Sequence, residues 1–387
     1  MITAVAEDAA KAGHVVTVVA SARGYNLSET YPRAEAQNGV AITRVRGLSL
    51  NRHSVLGRMF NFLAFILSSS LRVLSLPKPD CLIVTSVPPL SLGLGVLLRW
   101  LKKVPFVYVI EDLYPDIAFA SGLLKRESFS GRFLNRAFGW MMSQAGATIV
   151  LGDYMKQRVL ASHPQLVPAS VHPIHNWQDE TLLYPLERTA PHEQPVVFQY
   201  SGNFGEAHDF KTIIDAAKNL REAGRIQFEF IGGGKQREFV EREIRDNKLL
   251  QCHVRDYVPQ ADLNKSLNRA DVGLVTLARG YEGLIVPSKL YGIMAVGRPV
   301  LYVGPLQGEI PDLIRQHSLG WMVEPGDEDG LVKAIREAVE QPQLRMACGT
   351  NGRRAFKAYY ERKIATAKYL EVFETCSQHP VEKQQPT

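Results

Sequence analysis

Apolar positions along the chain fall into two recurring patterns that alternate: short unbroken runs rich in β-branched residues, and longer stretches with helical spacing. Residues 2–12 carry the spacing of a helix, and after Gly13 the run 14–20 reads as a buried strand. The alternation continues through a strand at 41–45, a long helix at 56–76, a strand at 81–85, a helix at 90–101 and a strand at 106–110. A helix at 131–144 and a strand at 148–151 complete it. Strand and helix in strict succession predict an α/β fold with a parallel, doubly wound sheet, whose ligands sit at the carboxyl ends of the strands. Such a domain ordinarily opens on a strand and a turn into its first helix, so one further strand and its turn are expected ahead of residue 2.

Between 172 and 195 the periodicity dissolves into prolines, histidines and acids, including Pro173, Pro185, Pro191 and Pro195, which marks a linker placed at 176–195. A second alternation follows, with strands at 196–201, 227–231, 252–255, 272–276 and 299–303. Helices are expected between them at 211–223, 235–248, 260–269 and 289–296. The division is therefore a first domain at 1–175, a second at 196–345, carboxyl-terminal helices at 346–375 and a polar, disordered tail at 376–387. A length of 387 residues suits two domains.

Composition narrows the class. Hydrophobic residues at 45% and charged residues at 22% belong to a folded chain, and the net charge of +6 is spread in small clusters with no phosphate-tracking stripe, so nucleic acid is not an expected partner. Cys81, Cys252, Cys348 and Cys376 lack metal-ligand spacing and are expected to be reduced, consistent with a cytoplasmic address. The most apolar stretches, 59–76 and 87–101, are broken by Asn61 and Arg72 and by Pro88, Pro89 and Arg99, short of the roughly 20 apolar residues of a span. The two helices there mix Arg58, Arg72, Arg99, Lys102 and Lys103 with large apolar side chains. Peripheral contact with the inner membrane is expected beside ordinary burial on the sheet.

Candidate chemistry lies in the turns after strands. Tyr200-Ser201-Gly202-Asn203-Phe204-Gly205 and Ile231-Gly232-Gly233-Gly234-Lys235 each follow a strand and precede a helix, where backbone amides hold a phosphate or glycine simply allows a tight turn. A third stretch, from Gly280 through Glu282 to Ser288 and Lys289, runs into a helix. Ser288 is a cap or a phosphate ligand, Lys289 a cation for a diphosphate, and Glu282 a partner for sugar hydroxyls or a solvated acid. In the first domain Glu111, Asp112 and Asp116 follow a buried strand, and general base, hydroxyl acceptor and helix cap all stay open for them. No histidine stands at ligand spacing to these acids, so no metal is expected. His175, Asn176 and Trp177 either line an inter-domain cleft or are structural.

These stretches, taken in order with Val286-Pro287-Ser288-Lys289-Leu290-Tyr291 and Met294-Ala295-Val296-Gly297-Arg298-Pro299, resemble the family-4 glycosyltransferases of bacterial polysaccharide assembly, in particular their WbuB- and WcaI-like subgroup. The resemblance implies a GT-B fold: two Rossmann-like domains facing a cleft, acceptor on the first and nucleotide sugar on the second. It implies a retaining, metal-independent transfer of a sugar from a nucleotide diphosphate sugar to a lipid-linked glycan, with no cofactor. By this resemblance the donor is held by Gly202, Asn203, Phe204, Lys211, Gly233, Gly234, Glu282, Ser288 and Lys289, and Glu111, Asp112 and Asp116 serve the acceptor side. The sequence departs from the family where a ribose-holding glutamate is usual, at Gly292, and where an arginine and lysine follow the first glycine turn, at Asn203 and near His208. An impaired sugar-nucleotide binder and a sugar-nucleotide epimerase of the same fold are the alternatives.

Overall fold

The computed structural model describes residues 1–23, 31–48, 55–187 and 195–378. The first domain runs α1 (Ile2–Lys11), β1 (Val16–Ser21), β2 (Ala34–Gln37), β3 (Val40–Val45), α2 (Val55–Ser75), β4 (Leu82–Thr85), α3 (Leu92–Lys102) and β5 (Phe106–Val109). It continues through α4 (Asp116–Ala120), α5 (Phe129–Ser143), β6 (Ala147–Val150), α6 (Asp153–Ser162) and β7 (Val171–Pro173). β5 and β6 are buried at every position, as a strand covered on both faces requires. Expected boundaries hold within a few residues, but β2, α4, α6 and β7 were not anticipated. β2 is mostly exposed and lacks alternation; it exists because Asn38 and Gly39, both with positive φ, fold the chain back antiparallel onto β3.

The first domain's sheet comes in two pieces, β1-β3-β2 and the parallel β4-β5-β6-β7, and among the described residues no strand pairs β1 with β4. Helices continue across the break on both faces. α1 lies on β1 and against α14 (Arg362–Gln378), which packs on β5; α2 lies on β1 and against α3, which packs on β4 and β5.

The second domain is a single parallel sheet ordered β10-β9-β8-β11-β12-β13. Its strands are β8 (Val196–Ser201), β9 (Ile226–Ile231), β10 (Cys252–Arg255), β11 (Val272–Thr276), β12 (Val300–Val303) and β13 (Gly320–Val323). They alternate with α7 (Lys211–Asn219), α8 (Arg237–Asp246), α9 (Leu263–Arg269), α10 (Lys289–Ala295), α11 (Glu309–His317) and α12 (Glu328–Glu340). Strand order reverses between β8 and β11, and a doubly wound sheet opens its crevice at that point. Phe198, Tyr200, Phe204, Phe210, Phe228 and Phe230 fill the core behind β8 and β9.

α13 (Pro342–Ala355) stays with the second domain, whereas α14 returns to the first, where Arg362 pairs with Glu7, Asp8 and Asp179 and Trp177 meets Tyr369 edge-on. The domains also touch at the cleft floor. The Leu113 amide donates to the Leu284 carbonyl at 3.1 Å, and the Tyr154 amide donates to Glu309 at 3.2 Å. Residues 188–194 of the expected linker and 379–387 of the expected tail lie outside the described residues.

Candidate active site

A cleft of about 730 Å³ opens between the carboxyl ends of the two sheets. Its second-domain wall is built on the turn after β8. Gly202 has φ +150° and its α-carbon faces Lys289, so that a β-carbon there would stand 3.1 Å from the lysine's Cε. At Gly232, with φ +137°, a β-carbon would fall 2.0 Å from the Gly202 carbonyl oxygen. The two glycine turns therefore approach one another more closely than any side chain allows. Inside them the Gly202 amide donates to Ile231 and the Phe204 amide to Gly233, while the Asn203 amide has no acceptor among the described residues.

Lys289 stands at the start of α10, partly buried, its ammonium 4.7 Å above the Tyr200 ring. No carboxylate among the described residues pairs with it, and burial pulls its pKa down to about 7. His208 beside it is held neutral, its pKa drawn to about 3 by burial and then by the Lys289 charge. Its Nδ1 donates to the Thr276 carbonyl at 2.7 Å, which leaves Nε2 as an acceptor.

The first-domain wall carries the opposite chemistry. The amides of Glu111 and Asp112 both donate to the buried Ser86 hydroxyl, at 3.0 and 3.1 Å, which fixes the turn after β5. Burial raises the pKa of both carboxyls, that of Asp112 to about 6 with the neighbouring Glu111 charge as the second cause. They are the only carboxylates that line the cleft among the described residues.

The expected site residues divide. Glu111, Asp112, Gly202, Asn203, Ser288 and Lys289 line the cleft together. Ser288 makes no capping bond with its hydroxyl, so that group is available. The others stand elsewhere. Asp116 is buried behind the wall, bound to Arg126 and Ser162. Phe204 is fully buried in the aromatic core, and Lys211 is exposed and holds Asp215 at 2.5 Å. Gly233 and Gly234 brace the turn from behind: a β-carbon at Gly234 would meet the Asn203 Oδ1 at 2.4 Å. Glu282 accepts from the Gly280 amide in its own loop.

Sequence reading missed Gln199 and Tyr257 and left Asn176 open. Gln199 and Asn176 are buried cleft residues whose amide oxygens lack partners among the described residues. Gln199 spends its nitrogen on Glu229 and the Ser266 carbonyl. A glutamine inside the apolar run of β8 is the one signal that pointed to it. Gly292, in place of the family's glutamate, lies on the same wall. No group of three His, Cys, Asp or Glu side chains stands together as a metal site among the described residues.

Known proteins place this geometry. Residues 186–355 match the family Glycosyl transferases group 1, and residues 1–177 match the Glycosyl transferase 4-like domain, so the two matches divide the chain at the domain boundary. The probable glycosyltransferase WbjE of Pseudomonas aeruginosa is 30% identical over 270 residues, 68% of this chain and 67% of that protein. The chain belongs to the family-4 type of GT-B glycosyltransferases. The transferase is also 31% identical over 153 residues to the putative colanic acid biosynthesis glycosyl transferase WcaI of Escherichia coli K12, 38% of this chain and 36% of that one. Its fold is that of sucrose-phosphate synthase from Thermosynechococcus elongatus, with a TM-score of 0.77 at 15% identity over 97% of this chain and 92% of the other. It is likewise that of Anabaena HepE, solved with UDP and glucose, with a TM-score of 0.71 at 13% identity over 97% and 95%. These matches overturn the epimerase alternative.

Proposed function

We propose that the enzyme transfers a sugar from a nucleotide diphosphate sugar to a lipid-linked glycan in the assembly of cell-surface polysaccharide, with retention of anomeric configuration. The observation that carries this reading is the polarity of the cleft. A lysine without a carboxylate partner and a close-packed glycine turn form one wall, and two carboxylates with raised pKa form the other. A diphosphate suits the first wall: Lys289 and the Asn203 amide neutralise the charge that develops as the bond to the sugar breaks, so no metal ion is required. An acceptor hydroxyl suits the second, where Glu111 or Asp112 binds it or takes its proton. Gln199, on the wall where Gly292 provides no acceptor, and Asn176, at the end of the first domain, offer acceptors for donor hydroxyls. The complex of HepE with UDP and glucose, and the description of WcaI as a colanic acid transferase, support this reading.

The test is release of nucleoside diphosphate from a panel of nucleotide sugars with membrane-lipid extract as acceptor, on this chain and on a form extended at its amino terminus. The product's anomeric configuration is read by NMR. Release that depends on the extract, with the donor's configuration kept, is expected; an inverted product would overturn the retaining mechanism. Stabilisation by a nucleotide sugar with no release from either form would favour the impaired-binder alternative.

A further inference from the structure

Large apolar side chains left exposed concentrate on one outer face of the first domain. α5 buries Gly131, Phe138, Gly139 and Met142 on its inner side and turns Phe129, Phe133, Arg136 and Trp140 outward on a single stripe; Phe129 is 85% exposed and Phe133 64%. α3 lies beside it and presents Leu97, Trp100 and Leu101 on its own outer side, and α2 adds Leu63, Leu67 and Leu71. Trp100 and Trp140 meet edge-on at 5.7 Å and join the stripes of α3 and α5. The three helices are locked in place, since Arg99 donates to the Gln144 carbonyl after α5, at 2.6 Å, and Lys102 to the Val73 and Leu76 carbonyls at the end of α2.

The outer stripe of a surface helix is ordinarily polar. Here it is aromatic and leucine-rich, and its charge has one sign. α2, α3 and α5 contain no Asp or Glu, and the exposed cations Lys103, Arg132 and Arg136 have no carboxylate partner among the described residues. No described helix is long and apolar enough to cross a membrane. We infer that the α2–α3–α5 face docks on an anionic lipid bilayer, its aromatic and leucine side chains entering the headgroup boundary while Lys103, Arg132 and Arg136 meet the lipid charge. Charge selects this occupant over a second copy of the chain, because a two-fold contact would set the same cationic rim against itself. The docking accords with the lipid-linked acceptor proposed above but is read from a different face. Vesicle association reports on this face and nucleotide-sugar stabilisation on the cleft, so the failure of one is distinguishable from that of the other.

The experiment is flotation of the full chain with vesicles of phosphatidylcholine, alone or with phosphatidylglycerol. Co-flotation is expected with the anionic vesicles and should weaken as salt rises, with tryptophan emission moving to shorter wavelength as Trp100 and Trp140 leave water. The triple variant Trp100→Ser, Phe133→Ser, Trp140→Ser should bind at least about tenfold less while keeping its thermal transition. The double variant Arg132→Glu, Arg136→Glu should lose the preference for phosphatidylglycerol. The inference is overturned if the wild-type chain does not float with anionic vesicles, or if the triple variant floats as well as wild type. It is equally overturned if sedimentation velocity finds a dimer that the triple variant dissolves.

Discussion

The two domains are both layered α/β units, yet they dispose of their large apolar side chains in opposite ways. Over residues 196–361 the phenylalanines of β8, β9 and the turn after β8 are fully buried, and Leu250, Tyr257, Met346 and Tyr359 are the large apolar residues left exposed. In the first domain, α3 and α5 alone expose Leu97, Trp100, Leu101, Phe129, Phe133 and Trp140. Similar helices over similar sheets therefore need not share the chemistry of their outer faces. The second domain spends its aromatic residues on holding a rigid turn against the cleft, and the first offers them to a partner. Across the cleft the contrast repeats in charge, with Lys289 on one wall and Glu111 and Asp112 on the other.

The comparison breaks most visibly at phenylalanine. Phe204→Ala removes a ring packed against Tyr200 and Phe210 and should cost about 3–5 kcal/mol of stability in denaturant unfolding. Phe133→Ser on the outer stripe should change stability by no more than about 0.5 kcal/mol. Equal losses at the two positions would mean that the outer stripe is packed like a core.

Lys289→Ala comes next. Loss of a charge-assisted contact should weaken nucleotide-sugar binding by about 1.5–3 kcal/mol in calorimetry and leave vesicle association unchanged. Because Lys289 titrates near pH 7 in the free protein, and a bound diphosphate favours its charged form, wild-type affinity should fall as pH rises through 7 and beyond. The limit is about tenfold per pH unit, and the alanine variant should lack this dependence.

On the opposite wall the sign reverses. A carboxylate acting on the acceptor is needed ionised, so transfer should decline as pH falls through about 6, the value at Asp112. Glu111→Gln removes the second cause of that raised value and should move the acid limb to lower pH by a fraction of a unit, as a pH–rate profile measures. An unchanged limb would show that the two carboxyls do not interact. The raised value also means that the folded state takes up a proton between about pH 4 and 6, so Asp112 contributes least to stability when ionised. Asp112→Asn should raise the melting temperature slightly at pH 7.

Much of the fold was legible because strands buried at every position are largely apolar, as in β5, β6 and β11, and such runs declare themselves without any partner. The elements that escaped depend on context. β7 is three residues ending in Pro173 and pairs, among the described residues, with β6 alone, while α6 has little apolar periodicity. The helix–strand pair of α11 and β13 was missed although Ile310, Leu313 and Ile314 have helical spacing, because Pro311 stands inside the helix and the strand is only the four residues Gly320–Val323. At the site, glycine spacing located the turns, but which neighbours face the cleft is a matter of three dimensions. Lys211 and Asp116 carry suitable chemistry and spend it on Asp215 and Arg126, whereas Gln199 and Asn176 are ordinary in sequence and become notable only when burial leaves an oxygen without a partner.

The most direct test of the account is calorimetric titration of the wild-type chain and Lys289→Ala with a panel of nucleotide sugars at pH 6.5 and 8.5, values chosen on either side of about pH 7. The account predicts that one nucleotide family binds wild type, more tightly at the lower pH, and that the variant binds weakly and equally at both. Wild-type affinity retained by the variant, with the same pH dependence, would contradict it.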